Sequence, residues 1–166
     1  NDIRGLCDEP GLANLAAESG AAMVLMHSSG TPDIMQSRTS YDRFPDDIIS
    51  SLGQSADLAM NAGLSREKIV VDPGFGFGKT AAQNLTLLQE LPSFQRLGFP
   101  ILCGFSRKSF LGWVTGEENP RQRDVATHTC GILALLSGAH ILRVHDVKGC
   151  RDALAVLQAL RTNNED

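Results

Sequence analysis

Ile69-Val70-Val71-Asp72-Pro73-Gly74-Phe75-Gly76-Phe77-Gly78-Lys79-Thr80 decides how the rest of the chain is read. Its opening apolar run does not alternate with polar residues, which is the habit of a parallel strand covered on both faces. A carboxylate follows at the strand's carboxyl end. A glycine-rich turn then leads into a helical pattern over residues 81–91, with Leu85, Leu87 and Leu88 on one side and Pro92 behind it.

The same succession recurs on either side. Residues 23–26 run into His27, residues 101–103 run through Gly104 into Ser106-Arg107-Lys108-Ser109, and residues 141–144 run into His145-Asp146. Helical patterns over 9–18, 45–62, 125–136 and 152–160 separate or flank these runs. Alternating strands and helices predict an α/β protein with a parallel sheet. Each strand delivers polar residues at its carboxyl end, where (β/α) barrels and open α/β sheets both build their sites.

The chain has 166 residues, whereas a complete eight-stranded barrel usually takes about 250. Asn1-Asp2-Ile3-Arg4 reads as the end of an earlier strand. The expectation is therefore either a small open sheet or four to five β/α units forming the carboxyl-terminal half of a (β/α)8 barrel of the TIM type. One domain is expected over residues 1–161, with a disordered tail over 162–166.

Composition narrows the function. Apolar residues make up 42% and charged residues 20%, as in a globular protein. A net charge of −4 argues against a general nucleic-acid binder or a binder of anionic membranes. The long charge-free run over residues 125–142 contains His128, Thr129, Gly131, Ser137 and His140, so it reads as a buried helix and strand, not a membrane span. Cys7, Cys103, Cys130 and Cys150 form no Cys-x-x-Cys pair, which speaks against a disulfide framework or zinc knuckle and suits a cytoplasmic protein.

Two nucleotide motifs fail on inspection. Gly78-Lys79-Thr80 suggests a phosphate-binding P-loop, but its first glycine would fall on Pro73. Gly76, Gly78 and Ala81 fit a dinucleotide fingerprint, yet no acidic residue follows at a second strand end. Lys79 and Thr80 then read as the opening of the next helix. Asp72 has a different use: a partly desolvated carboxylate accepts two hydrogen bonds from an amino-substituted heterocycle with an adjacent ring N–H.

Ser106-Arg107-Lys108-Ser109 places two cations and two hydroxyls at a helix start, suited to a carboxylate or phosphate; the plainer reading is a Ser106 helix cap with solvated cations. Arg143 and His145 lie two apart on a strand and share a face, which suits a diphosphate; an inward arginine there needs a counter-anion. His27, His128, Cys130 and His145 form no spaced zinc set, and no metal ligand is expected from this chain.

Together these segments resemble the dihydropteroate synthase family of pterin-binding barrels. Asn1-Asp2-Ile3-Arg4, Leu25-Met26-His27, Gly30-Thr31-Pro32 with Met35-Gln36, the stretch from Asp72 to Thr80, Ser106-Arg107-Lys108-Ser109, Arg123-Asp124-Val125-Ala126-Thr127 and Arg143-Val144-His145-Asp146-Val147 stand in that family's order at compatible spacing. The resemblance implies condensation of a pterin methyl diphosphate with p-aminobenzoate in folate synthesis, with magnesium as cofactor and no covalent catalyst. It implies pterin contacts from Asn1, Met26, Asp72 and Lys108, aminobenzoate contacts from Phe77 and Ser109, and diphosphate contacts from Arg143 and His145. A homodimer is implied, with Trp113 as a candidate contact.

The chain departs from the family at Ser28-Ser29, where a second methionine is common, and it lacks the family's first strands. It is expected to be a fragment, inactive alone. Alternatives are a methyltetrahydrofolate-dependent corrinoid methyltransferase, which has no diphosphate leaving group, and a non-catalytic pterin-binding module.

Overall fold

The computed structural model describes residues 1–162. Helix α1 (Gly11–Ser19) precedes strand β1 (Met23–Met26), and α2 (Asp46–Asn61) leads to β2 (Ile69–Asp72). Helix α3 (Ala81–Gln89) and a 3-10 turn precede β3 (Leu102–Cys103); α4 (Ser109–Thr115) and α5 (Asp124–Leu136) follow, then β4 (Ile141–Leu142) and α6 (Val147–Thr162).

All the strand pairings are parallel. β1 pairs with β2, with Met26 opposite Asp72, and β3 pairs with β4. Single bridges, Val71 to Ile101 and Asp2 to Leu25, join these pairs and add the amino-terminal segment at one edge. The order across the chain is thus Asp2, β1, β2, β3, β4, each strand beside its predecessor, as right-handed β/α connections produce.

The core lies between this row and the helices. Leu25, Ile69, Val71, Ile101 and Cys103 from the strands meet Ile48, Leu52, Ala56, Leu87, Phe94 and Phe110. Burying each large aliphatic or aromatic side chain contributes about 1.5–3 kcal/mol. Helix α3 starts sharply because Thr80 and Gln83 form a reciprocal capping box.

Most boundaries move by a residue or two from the sequence reading, and three differences carry more weight. β4 ends at Leu142, so Arg143 lies just past the strand, although its N–H still donates to the Cys103 carbonyl at 3.0 Å. Helix α6 starts at Val147, five residues earlier than its apolar pattern, because the Asp146 carboxylate accepts the Gly149 N–H at 3.0 Å and caps it. That helix includes Thr162, correcting the tail expected there; residues 163–166 lie outside the described residues.

Candidate active site at the strand carboxyl ends

The loop after β2 is held through most of its carbonyls and several of its N–H groups. Asp72 Oδ1 accepts the Gly74 N–H at 2.8 Å, and Asn84 Oδ1 accepts the Gly76 N–H at 2.6 Å. Gln36 donates to the Gly76 carbonyl at 3.1 Å, and the Tyr41 hydroxyl donates to the Gly78 carbonyl at 2.9 Å. Lys108 Nζ donates to the Phe75 carbonyl. These contacts fix a loop that would otherwise be mobile.

Two glycines there are obligatory. Gly74 has φ +72°, and a Cβ would lie 1.9 Å from the His27 carbonyl oxygen; at Gly78, with φ +68°, it would lie 1.7 Å from Ser29 Oγ. The close approach places Asp72 beside β1, where Met26 is its register partner. Phe75 turns into the core against Phe105, with ring centroids 4.4 Å apart, so only Phe77 remains to wall a ligand.

Asp72 is almost fully buried, and Arg143 meets it: Nη2 lies 3.1 Å from Asp72 Oδ2. The same guanidinium donates to Asn1 Oδ1 at 2.8 Å. Burial pushes the Asp72 carboxyl above the ordinary carboxylate range, opposed by the Gly74 N–H and the Arg143 charge. Arg143 is exposed, against the inward placement expected of it, and its counter-anion is the buried Asp72. The residues expected at the pterin and at the diphosphate thus adjoin, and in this structure Asp72, Arg143 and Asn1 form one cluster.

Lys108 Nζ also stands 4.6 Å from the centroid of the Phe77 ring, a cation–π arrangement. Burial pushes the Lys108 ammonium down to about 8, with Asp72 opposing and Arg143 reinforcing the shift. Phe77, Gly104, Ser106, Lys108, Arg143, Val144 and His145 line a cleft of about 280 Å³.

The structure brings together Asn1, Asp72 and Arg143, with Met26 adjoining, and Arg143 in turn joins Lys108, Phe77 and His145 around the cleft. Ser109 is exposed at the first position of α4, outside the cleft lining.

Two readings of the 106–109 segment need correction. Ser106 does not cap α4, whose amino-terminal neighbour is Lys108; its Oγ lies 2.7 Å from His145 Nδ1 and accepts the His145 N–H at 3.1 Å. A Ser106 proton donated to Nδ1 leaves His145 with a proton on Nε2 to offer a ligand. Arg107 is not part of an anion site: it has φ +60°, and its guanidinium makes a two-pronged pair with Asp124 at 2.9 and 2.8 Å.

Sequence reasoning missed the residues beneath the site. Arg123 donates to the Glu117, Glu118, Arg107 and Lys108 carbonyls, and Thr127 Oγ1 accepts the Arg107 N–H. Lys79 is not merely the opening of a helix. Its Nζ is buried and turned inward, away from any phosphate role, onto His27 Nδ1 at 3.1 Å. Only the short interval after the glycines hinted at a tethered lysine.

Burial, the Lys79 charge and that of Arg4 push His27 down to about 3. Its ordinary value in the unfolded chain is about 6.5. Neutral His27 thus supports the fold fully above about pH 6.5, and that contribution is lost as pH falls toward 3. We expect His27→Gln to flatten this acid limb in urea unfolding midpoints between pH 7 and 4; an unchanged limb would rule His27 out as its source.

With this geometry in view, residues 1–145 match the pterin binding enzyme family, and the chain belongs to that family. It is 42% identical over 160 residues to the dihydropteroate synthase of Synechocystis sp., covering 96% of this chain and 55% of that protein. Its fold superposes on dihydropteroate synthase from Thermus thermophilus in complex with 6HMPPP, with TM-score 0.92, 40% identity and coverage of 97% and 63% of the two chains. The enzyme from Xanthomonas albilineans in complex with 7,8-dihydropteroate gives TM-score 0.88 at 38% identity, with coverage of 97% and 58%. The chain thus spans less than two thirds of these relatives, and supplies part of a (β/α)8-type α/β architecture.

Proposed function

We propose that this protein acts in condensing 6-hydroxymethyl-7,8-dihydropterin diphosphate with p-aminobenzoate, giving 7,8-dihydropteroate and pyrophosphate in folate biosynthesis. The observation that carries this reading is the buried Asp72 carboxylate, joined to Asn1 through Arg143 and set beside a Lys108–Phe77 wall. Relatives solved with 6HMPPP, with 4-aminobenzoate and with 7,8-dihydropteroate support it.

The residues divide the task by chemistry. Asp72 and Asn1 take the hydrogen-bonding edge of the pterin, with Met26 beside the ring. Arg143 leaves Asp72 when the pterin arrives and, with His145 Nε2–H, holds the diphosphate. Phe77 walls the aminobenzoate ring, Lys108 lies between the two substrates, and Ser109 takes the aminobenzoate carboxylate at the helix start.

The carbon–oxygen bond to the diphosphate breaks, and its electron pair departs with pyrophosphate. The cationic methylene is stabilised by the electron-rich pterin. The aromatic amine then forms the carbon–nitrogen bond with its lone pair and releases a proton. Preorganised charge suffices, without a covalent intermediate. The corrinoid methyltransferase alternative has no diphosphate leaving group for Arg143 and His145 to hold.

The residues around the diphosphate contacts do not fit a protein-held metal. The cleft is lined by cationic and neutral groups, and Asp72 already accepts from Gly74 and Arg143. Among the described residues no cluster of three or more His, Cys, Asp or Glu is placed to hold one. Magnesium stays in the proposal as the cofactor that would neutralise charge on the leaving diphosphate, with no ligand assigned to it among these residues.

Cytoplasmic location and a homodimer belong to the same proposal. Among the described residues no helix is long and apolar enough to cross a membrane. Trp113 on α4 is 67% exposed, as a subunit contact would be before assembly. No nucleic acid is a partner in this reaction, and the acidic net charge of −4 agrees. Sulfonamide binding is also proposed, since the relative from Yersinia pestis is solved with a sulfonamide drug complex.

Liquid chromatography with mass detection tests the reaction: 7,8-dihydropteroate should accumulate from the two substrates, and its absence would remove the proposal. Lys108 sets an alkaline limb. Its ammonium is the active form, so kcat/KM should fall about tenfold per pH unit above its value of about 8. A profile flat to pH 10 would contradict that role.

A further inference from the structure

We infer that Lys79 is the positioning residue for the aminobenzoate wall, holding Phe77 and the Gly74 bend from beneath through its ammonium group. This inference rests on the function proposed above and concerns a side chain that touches neither substrate.

Three acceptors converge on Lys79 Nζ: the Gly74 carbonyl at 2.9 Å, the Phe77 carbonyl at 3.1 Å and His27 Nδ1 at 3.1 Å. An ammonium has three N–H donors, so each finds a partner. The side chain is only 5% exposed, so a mispaired proton could not turn to water. This arrangement makes His27 an acceptor at Nδ1 and places its own proton on Nε2. The groups facing His27 agree, since Arg4 and Lys79 both disfavour an imidazolium there and Tyr41 packs 5.9 Å from its ring.

The consequence reaches the cleft through one residue. Phe77 is held by its carbonyl from below by Lys79, and its ring carries the Lys108 ammonium above. Asn84, 1% exposed, braces the same loop by accepting the Gly76 N–H and donating to the Lys79 and Thr80 carbonyls. Losing the Lys79 contacts leaves the part-buried Phe77 carbonyl unpaired and the buried Gly74 carbonyl with the Phe77 N–H alone, and the loop shifts to find new donors. A displacement of about 1 Å at a substrate-positioning group costs about a hundredfold in rate.

The test uses the native gene product at pH 6, below the value of about 7 to which burial pushes Lys79, so that the ammonium is intact. Lys79→Met should lower kcat/KM for p-aminobenzoate by about a hundredfold, while the dissociation constant for the pterin diphosphate changes less than about threefold. Equal losses for both substrates, or none, would overturn the assignment.

Since the variant could fail to fold, a second measurement uses the unaltered protein. Nitrogen-15 shifts of labelled histidine should show His27 Nδ1 unprotonated and Nε2 protonated at pH 6. A proton on Nδ1 would contradict the three-donor arrangement directly. Failure of the unaltered protein to make 7,8-dihydropteroate would instead remove the proposed function, and it leaves the histidine result to decide the Lys79 geometry by itself.

Discussion

Asp72→Asn is expected to lower kcat/KM for the pterin diphosphate by about a thousandfold, while leaving the fold intact. The substitution keeps volume, and the asparagine carbonyl can still accept the Gly74 N–H that Oδ1 accepts at 2.8 Å. The loop therefore survives. What changes is the other oxygen, which becomes an NH2 facing the Arg143 guanidinium, now 3.1 Å away, and facing the pterin amino group when it binds. A donor is set against a donor in a nearly closed site. Sites built to hydrogen-bond a ligand discriminate by about 10⁴–10⁵ against one that cannot reciprocate. A thousandfold is the part expected when one of two contacts inverts. Steady-state kinetics with circular dichroism as a folding control measures it, and an effect below tenfold would mean that Asp72 does not bind the pterin.

Lys108→Met is the second large effect, about a hundredfold in kcat/KM for both substrates. Methionine keeps a flexible apolar stem against Gly76, whose hypothetical Cβ would come within 2.9 Å of Lys108 Cδ. It removes the ammonium that binds the Phe75 carbonyl and lies over Phe77. A hundredfold corresponds to about 2.7 kcal/mol, the range of a charged hydrogen bond lost from a partly buried site. The alkaline limb above pH 8 should vanish along with the rate. Persistence of that limb in Lys108→Met would assign it to another group, and unchanged kcat/KM would remove Lys108 from the site.

Much of this architecture was legible because parallel strands announce themselves twice, by unbroken apolar runs and by the polar residue that ends each run. Val70 and Val71 with Asp72 is the clearest case, and β1 and β2 emerged with nearly the expected limits. β4 is shorter than its apolar run, since Val144 continues that run past Arg143 while the strand itself ends at Leu142. Helix α6 begins ahead of its apolar pattern, since its first turn is set by the Asp146 cap.

The site followed the same rule. Residues whose chemistry is explicit at a strand end, Asp72, Lys108, Arg143 and His145, could be named from the sequence. Their partners could not. That Arg143 spans Asp72 and Asn1, from the two ends of the chain, depends on tertiary closeness that no local spacing encodes. Lys79 looked like a phosphate ligand or a helix opening, and only burial distinguishes a lysine turned into the protein from one turned out. Arg107 and Ser106 carried the right chemistry in the wrong directions, one drawn to Asp124 and the other to His145.

The central claim is best met by one assay: pyrophosphate release by the native gene product, supplied with the pterin diphosphate and magnesium, with and without p-aminobenzoate. Release should require the amine and match 7,8-dihydropteroate mole for mole. Tight pterin binding with no release, or release indifferent to the amine, would contradict the condensation.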